Sequence, residues 1–244
     1  MISVSNLHKT FGKVTALKGV SFNAPDGCIT GLLGPNGAGK TTTLRIIYTI
    51  LHPDKGTASV DGFDTVKDQL KVRKCIGALP DSHGLYPRLT ARENIRYFGR
   101  LHGLRGEALE KGIDNLIRLL DMQEIAERRT EGFSSGERVK VAIARALVHN
   151  PKNVLLDEPT VGLDVMSTRA MRTFIERLRE EGKCVLFSSH IMQEVSALCD
   201  YVVIISNGEV AASGTPDTLR EKTGQENLED AFVAAIGSEE GLVR

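Results

Sequence analysis

Apolar residues along this chain follow two patterns, and each predicts a different element. Short continuous apolar runs bounded by turn residues read as buried strands: Cys28 to Leu33 after the turn signal Pro25-Asp26-Gly27, Ile76 to Leu79, Val154-Leu155-Leu156, and Val185-Leu186-Phe187 ahead of Ser188-Ser189-His190. Ala58-Ser59-Val60 is a further β-type run among Gly and Asp turn signals. Tyr201 to Ile205 and Glu209-Val210-Ala211 flank Asn207-Gly208, which predicts a hairpin. From Thr90 to about Leu120 the pattern turns helical. Thr90-Ala91-Arg92-Glu93 is a capping-box start, and Leu116, Ile117, Leu119 and Leu120 form the apolar side of a later helix. Val139, Ala142, Ile143, Ala146 and Leu147 mark one more helix, which Pro151 follows. The simplest account is an α/β chain with a helical insertion.

Composition narrows the classes. A chain of 244 residues can bury a substantial core, as one large domain or as a core with a smaller subdomain. With 31 basic and 31 acidic residues, no bulk basic field points to nucleic acid or to a grip on anionic lipid. Cys28, Cys75, Cys184 and Cys199 show no CxxC spacing, and three sit in or beside apolar runs, so buried reduced thiols are expected. The start MISVSNLHKTF lacks the basic and apolar regions of a signal peptide, and no run approaches the roughly 18 apolar residues of a membrane span. A cytoplasmic chain is expected, with any membrane role exercised through a partner.

The run GPNGAGKTT, Gly34-Pro35-Asn36-Gly37-Ala38-Gly39-Lys40-Thr41-Thr42, matches a P-loop between a strand and a helix. Glycines let backbone N–H groups close around phosphate oxygens, the helix start adds positive potential, Lys40 neutralises the outer phosphates, and the Thr41 hydroxyl suits Mg²⁺. Phe133-Ser134-Ser135-Gly136-Glu137 admits two readings. Ser134 and Glu137 form a capping box, or the hydroxyls and the bare glycine backbone offer an anion site for a terminal phosphate. Beside a P-loop, the second reading is preferred.

Asp157 and Glu158 end an apolar run and precede Pro159, which cannot donate to a ladder and should end the strand. Neighbouring strand residues point to opposite sides, so the two acids are expected to act separately. His190 also closes an apolar strand, and the carboxyl end of a parallel strand is the ligand-binding edge.

In this order GPNGAGKTT, FSSGE followed by VAIARAL, LLDEP, GLD and FSSH resemble the ATP-binding subunit of an ABC transporter over nearly the whole chain. The resemblance implies an α/β fold: a P-loop NTPase core with a parallel sheet, an N-terminal antiparallel β subdomain and an inserted helical subdomain at approximately 85–150. It also implies a single ABC ATPase domain over 1–244, with a helical tail at approximately 215–244. Asp157 and Thr41 would hold Mg²⁺, Glu158 would face the attacking water, and His190 would touch the γ-phosphate of ATP. Phe11, before Gly12, would stack on adenine, although an isolated Phe there also suits a core. Ser134, Ser135, Gly136 and Glu137 would complete the site of a second ATPase subunit, two copies meeting head to tail around ATP. A separate transmembrane permease subunit would be driven by their opening, which places the chain on the inner face of the membrane.

Two departures stand out. Ser135 and Glu137 replace the usual glycine and glutamine of the signature. Asp81 replaces a glutamine, and could reach Mg²⁺ directly or through water, or cap the loop Ser82-His83-Gly84. The phrases GLYPRLTARENIRYFGRLHGL, GLDVMSTR and NLEDAF are most similar to exporter ATPases of the sodium-efflux NatA type. A soluble ABC ATPase acting on ribosomes or nucleic acid is the competing class, opposed by the single domain and the absence of net basic charge. A non-hydrolytic regulatory subunit is opposed by Lys40, Asp157, Glu158 and His190.

Overall fold

The computed structural model describes residues 1–81 and 84–237. In chain order it begins β1 (Ile2–Phe11), β2 (Val14–Ala24), β3 (Ile29–Leu33), α1 (Lys40–Ile47), β4 (Lys55–Val60), β5 (Phe63–Asp64), α2 (Gln69–Cys75) and β6 (Ile76–Leu79). Three helices follow, α3 (Ala91–Leu101), α4 (Gly106–Leu119) and α5 (Ser135–Leu147). The chain then returns to β7 (Asn153–Asp157), α6 (Val165–Glu180), β8 (Cys184–Ser189), α7 (Met192–Leu198), β9 (Tyr201–Ser206) and β10 (Glu209–Gly214), ending in α8 (Pro216–Thr223) and α9 (Leu228–Ile236).

Two sheets organise these elements. One is antiparallel, in the order β2-β1-β4-β5; the other runs β10-β9-β3-β8-β7-β6, with every neighbouring pair parallel except the β9–β10 hairpin. That hairpin turns where expected. Asn207 and Gly208 both have positive φ (50° and 81°), the geometry that matches the twist of a two-residue turn. The expected strand at Ala58-Ser59-Val60 lies within β4.

The central strands are apolar without interruption because both faces of their sheet are covered. Val154, Leu156, Val185 and Phe187 join a core with α3 to α7 and α9, whereas Leu155 and Leu186, on the opposite pleat, pack with α1 and the antiparallel sheet. Phe187 is almost wholly buried, and side chains of this kind each contribute about 1.5–3 kcal/mol. Packing at Gly31 leaves no room for a side chain, since a Cβ there would stand 2.5 Å from the Cys199 sulfur.

Between β6 and β7, α3 packs on α4 and α5. Thr90 and Glu93 form the expected capping box, and Leu116, Ile117 and Leu120 are buried with Leu119 packed against them. All four cysteines are free, but only Cys184 and Cys199 are buried. Cys28 and Cys75 are half-buried, a correction to the expected burial of all four. They sit just before β3 and at the end of α2 just before β6, where the chain enters the buried sheet. Burial pushes the Cys184 thiol up to about 12, so it stays protonated and inert. Thr215 caps α8, with Pro216 in its first turn, and Asn227 caps α9. The last residues of the expected tail, 238–244, lie outside the described residues. No described helix is long and apolar enough to cross a membrane.

Candidate functional site

Residues 34–39 link β3 to α1 along a path that glycine makes possible. A Cβ on Gly34 would lie 2.2 Å from the Ile205 carbonyl oxygen. Gly39, at φ 113°, would bring one within 2.8 Å of the Ala16 oxygen. The loop is also tied down, because the Ala38 carbonyl accepts the Gly208 N–H at 3.0 Å and the Thr43 hydroxyl donates to the Gly39 carbonyl at 3.0 Å. Its shape is therefore braced by β9, the Asn207-Gly208 turn and β2.

Beside the loop opens a cavity of about 340 Å³. Its walls include Pro35, Asn36, Gly37, Gly39, Lys40, Thr41 and Thr42 of the loop and the start of α1, together with Asp81, Glu158 and His190. Gly34 and Ala38 of the same loop are buried and do not line the cavity. Lys40 is buried and donates to the carbonyl oxygens of Gly34 at 2.7 Å and Pro35 at 3.2 Å, which fixes its ammonium over the loop. The same ammonium stands 3.4 Å from Oε1 of Glu158.

The two adjacent acids separate for a different reason from the one strand alternation predicts. β7 ends at Asp157, and Glu158 already lies outside it, with φ 50°. A left-handed backbone at a residue other than glycine costs of the order of 1 kcal/mol, and here hydrogen bonds hold it. The Glu158 N–H meets the carbonyl and hydroxyl oxygens of Ser188 at 3.2 and 3.1 Å. Asp157 stays buried, accepting from the Ser188 hydroxyl at 2.6 Å and the Thr41 hydroxyl at 3.3 Å. Glu158 turns to the cavity, where its Oε2 lies 2.9 Å from Nδ1 of His190. Sequence reasoning missed Ser188, whose only signal was its place in FSSH.

Burial pushes the Asp157 carboxyl up. Hydrogen bonds from Ser188 and Thr41 pull it back, and the charges of Asp81 and Glu158 add to the upward push. Asp81 is thus near enough to act on Asp157, while Ser82 and His83 of the alternative loop cap lie outside the described residues. The Thr41 hydroxyl and the Asp81 and Glu158 carboxylates line the cavity, and Asp157, which does not line it, stands behind Thr41 at 3.3 Å; such oxygens fit Mg²⁺, a hard cation that takes oxygen ligands. Among the described residues no cluster of three His, Cys, Asp or Glu side chains forms a full cage.

The FSSGE segment is elsewhere. Ser134 caps α5, its hydroxyl accepting the Glu137 N–H at 3.2 Å while Glu137 accepts the Ser134 N–H at 2.8 Å. The capping-box reading therefore holds in full, and Glu137 also meets Arg128 at 3.2 Å. Ser134, Ser135, Gly136 and Glu137 do not line the P-loop cavity. Gly136 faces α6 instead, where a Cβ would stand 2.9 Å from the Ser167 hydroxyl. Phe11 ends β1 with 46% of its surface exposed, which sets aside the core alternative, and Lys9 holds its ammonium 5.5 Å from the ring centre. It does not line the cavity either.

The sequence model of the ABC transporter family matches residues 17–161, from within β2 to just beyond Glu158. The chain belongs to this family. This ABC ATPase is 48% identical over 224 residues to the ABC transporter ATP-binding protein NatA of Bacillus subtilis (strain 168), an alignment covering 91% of each chain. Its fold matches a solved ATP-binding subunit of an ABC transporter with a TM-score of 0.89 at 29% identity, over 96% of this chain and 99% of the other. A dimeric structure of MJ0796, a bacterial ABC transporter cassette, matches with a TM-score of 0.80 at 30% identity, over 88% and 98% of the two chains. Like its family, the ABC ATPase binds nucleotide and hydrolyses ATP.

Proposed function

We propose that this chain powers an ABC exporter as its ATP-hydrolysing subunit, working as a head-to-tail pair on a separate transmembrane permease. The observation that carries the reading is the place of Glu158. It stands at the cavity wall between Lys40 and His190, while the signature residues do not line that cavity. A chain so built holds one half of each site and needs a second copy to bring Ser134, Ser135 and Gly136 to the phosphates.

The chemistry follows from the side chains. P-loop N–H groups and Lys40 hold the outer phosphates, and Glu158 accepts a proton from water as the oxygen attacks the γ-phosphorus. The bond from that phosphorus to the bridging oxygen breaks, and its electrons leave on ADP. His190 meets the γ-phosphate, and Phe11 stacks on the adenine. Mg²⁺, held by Thr41, Asp157 and Asp81, would neutralise charge on the outer phosphates when bound. Loss of the γ-phosphate removes what bridges the two copies, so they part and the permease moves. Similarity to the NatA type supports export, with Na⁺ as the cargo, and a position on the inner face of the membrane.

Co-purification tests the assignment. The tagged chain is expected to bring down one integral membrane protein that stimulates its ATPase activity, whereas recovery with ribosomes would replace the reading with that of a soluble translation-linked ATPase. A second experiment addresses Asp81. Asp81→Asn should raise the Mg²⁺ needed for half-maximal activity about three- to tenfold while metal-free nucleotide binding is unchanged, as expected for loss of one charged oxygen near a hard cation. Unaltered Mg²⁺ dependence with lost stimulation by the permease would place Asp81 in coupling instead.

A further inference from the structure

Behind the wall that carries Glu158 and His190 lies an acid that the proposed chemistry does not use. Glu194 sits on α7 with 2% of its surface exposed, among the buried side chains Val195 and Leu198 of the same short helix. Its Oε2 accepts the hydroxyl of Thr160 at 2.6 Å and that of Ser189 at 3.4 Å. Thr160 and Ser189 are themselves buried. The other oxygen lies 3.9 Å from the Arg172 guanidinium on α6.

The connectivity of these partners gives the arrangement its meaning. Thr160 follows Glu158 and Pro159, and Ser189 immediately precedes His190. Ser188 and Ser189 alternate across β8, so the first holds Asp157 and the Glu158 backbone while the second turns to Glu194. Ser189 also accepts the Ile191 N–H at 3.0 Å, which bends the chain directly after His190. The Glu158–His190 contact is therefore bracketed by two tethers, and one of them passes through Glu194.

We propose that Glu194 is a positioning residue for ATP hydrolysis: its buried carboxylate ties the segment after Glu158 to the segment before His190 and holds those side chains in their working geometry. Stability alone does not require an acid here. A buried charge is costly, and replacing such groups with well-packed apolar ones is often neutral or favourable. Geometry at a reacting centre is more demanding, since a misplacement of about 1 Å can cost a hundredfold in rate. The inference rests on the roles proposed above for Glu158 and His190.

The test uses the full-length chain. Glu194→Ala should lower kcat at least about tenfold while KM for ATP and nucleotide Kd stay within about twofold, because the tether aligns the hydrolytic groups and leaves the P-loop alone. Glu194→Gln keeps an oxygen acceptor for Thr160 and should stay within about threefold of native kcat. Thr160→Val, nearly isosteric, removes the donor and should reproduce the loss. In a Glu158→Gln background, single-turnover rates should fall by less than about twofold more on adding either Glu194→Ala or Thr160→Val, since residues acting as a unit are not additive. Equal losses in both backgrounds, KM or Kd shifting with kcat, native kcat in the folded variants, or failure of both to fold would overturn the proposal. Undiminished turnover in Glu158→Gln alone would instead overturn the reading of the site, and this inference with it.

Discussion

Glu158→Gln is expected to bind ATP and to hydrolyse it at least about a hundredfold more slowly than the native chain, the usual contribution of a general base. The exchange is nearly isosteric, so the left-handed turn, its hydrogen bonds to Ser188 and the cavity wall remain. What disappears is the negative charge that lies 2.9 Å from His190 and 3.4 Å from Lys40. An amide cannot take the proton of an attacking water, and it repels a γ-phosphate less than a carboxylate does. Binding should therefore hold or tighten while turnover stalls, and the two copies should remain closed on ATP. Light scattering with Mg-ATP should show a dimer that native protein forms only transiently. A variant that hydrolyses at the native rate and stays monomeric would remove Glu158 from its role and weaken the head-to-tail arrangement as well.

Lys40→Ala should reduce ATP affinity at least about a hundredfold. Lys40 donates to two loop carbonyls, so its ammonium is aimed before any phosphate arrives and loses little freedom on binding. Hydrogen bonds to charged groups contribute about 1.5–3 kcal/mol each, and two such contacts correspond to a factor of a hundred or more. Lys40→Arg should fail to rescue, because a planar fork does not fit a slot shaped for a compact ammonium. Equilibrium dialysis with ATP measures the loss directly. Near-native affinity in Lys40→Ala would dissolve the phosphate-binding role of the loop.

What could be read from the sequence, and what could not, divides along a physical line. The P-loop, the capping boxes at Thr90 and Ser134, and the Asn207-Gly208 turn are local devices, each written in adjacent residues that bond to one another. The continuous apolar strands were legible for the same reason, since burial on both faces leaves its mark on every position. The site's fine structure was not. Strand alternation separates the directions of Asp157 and Glu158 correctly but for the wrong cause, because the left-handed turn at Glu158 depends on Ser188, which is remote in sequence and adjacent in space. Glu194 carried no signal at all: an acid on a short helix reads as solvated until Thr160 and Ser189 are seen to close over it. The half-burial of Cys28 and Cys75 was not legible either, because an apolar neighbourhood in sequence does not reveal at which residue the chain enters the buried sheet.

The strand order has a consequence for how much variation the chain can absorb. β8 lies between β3 and β7, with Leu32 and Asp157 both level with Ser188, so the phosphate loop, the acid pair and His190 all emerge from one rung of the same ladder. Their mutual alignment is a property of the backbone lattice, where a slip of one residue would shift a strand end by about 3.3 Å and reverse its faces. Side chains in the strand bodies set only how firmly that lattice is held. Apolar exchanges at Val154, Leu155 or Val185 can thus drift in size and branching at a cost in stability while the tolerances at the reacting end stay the same.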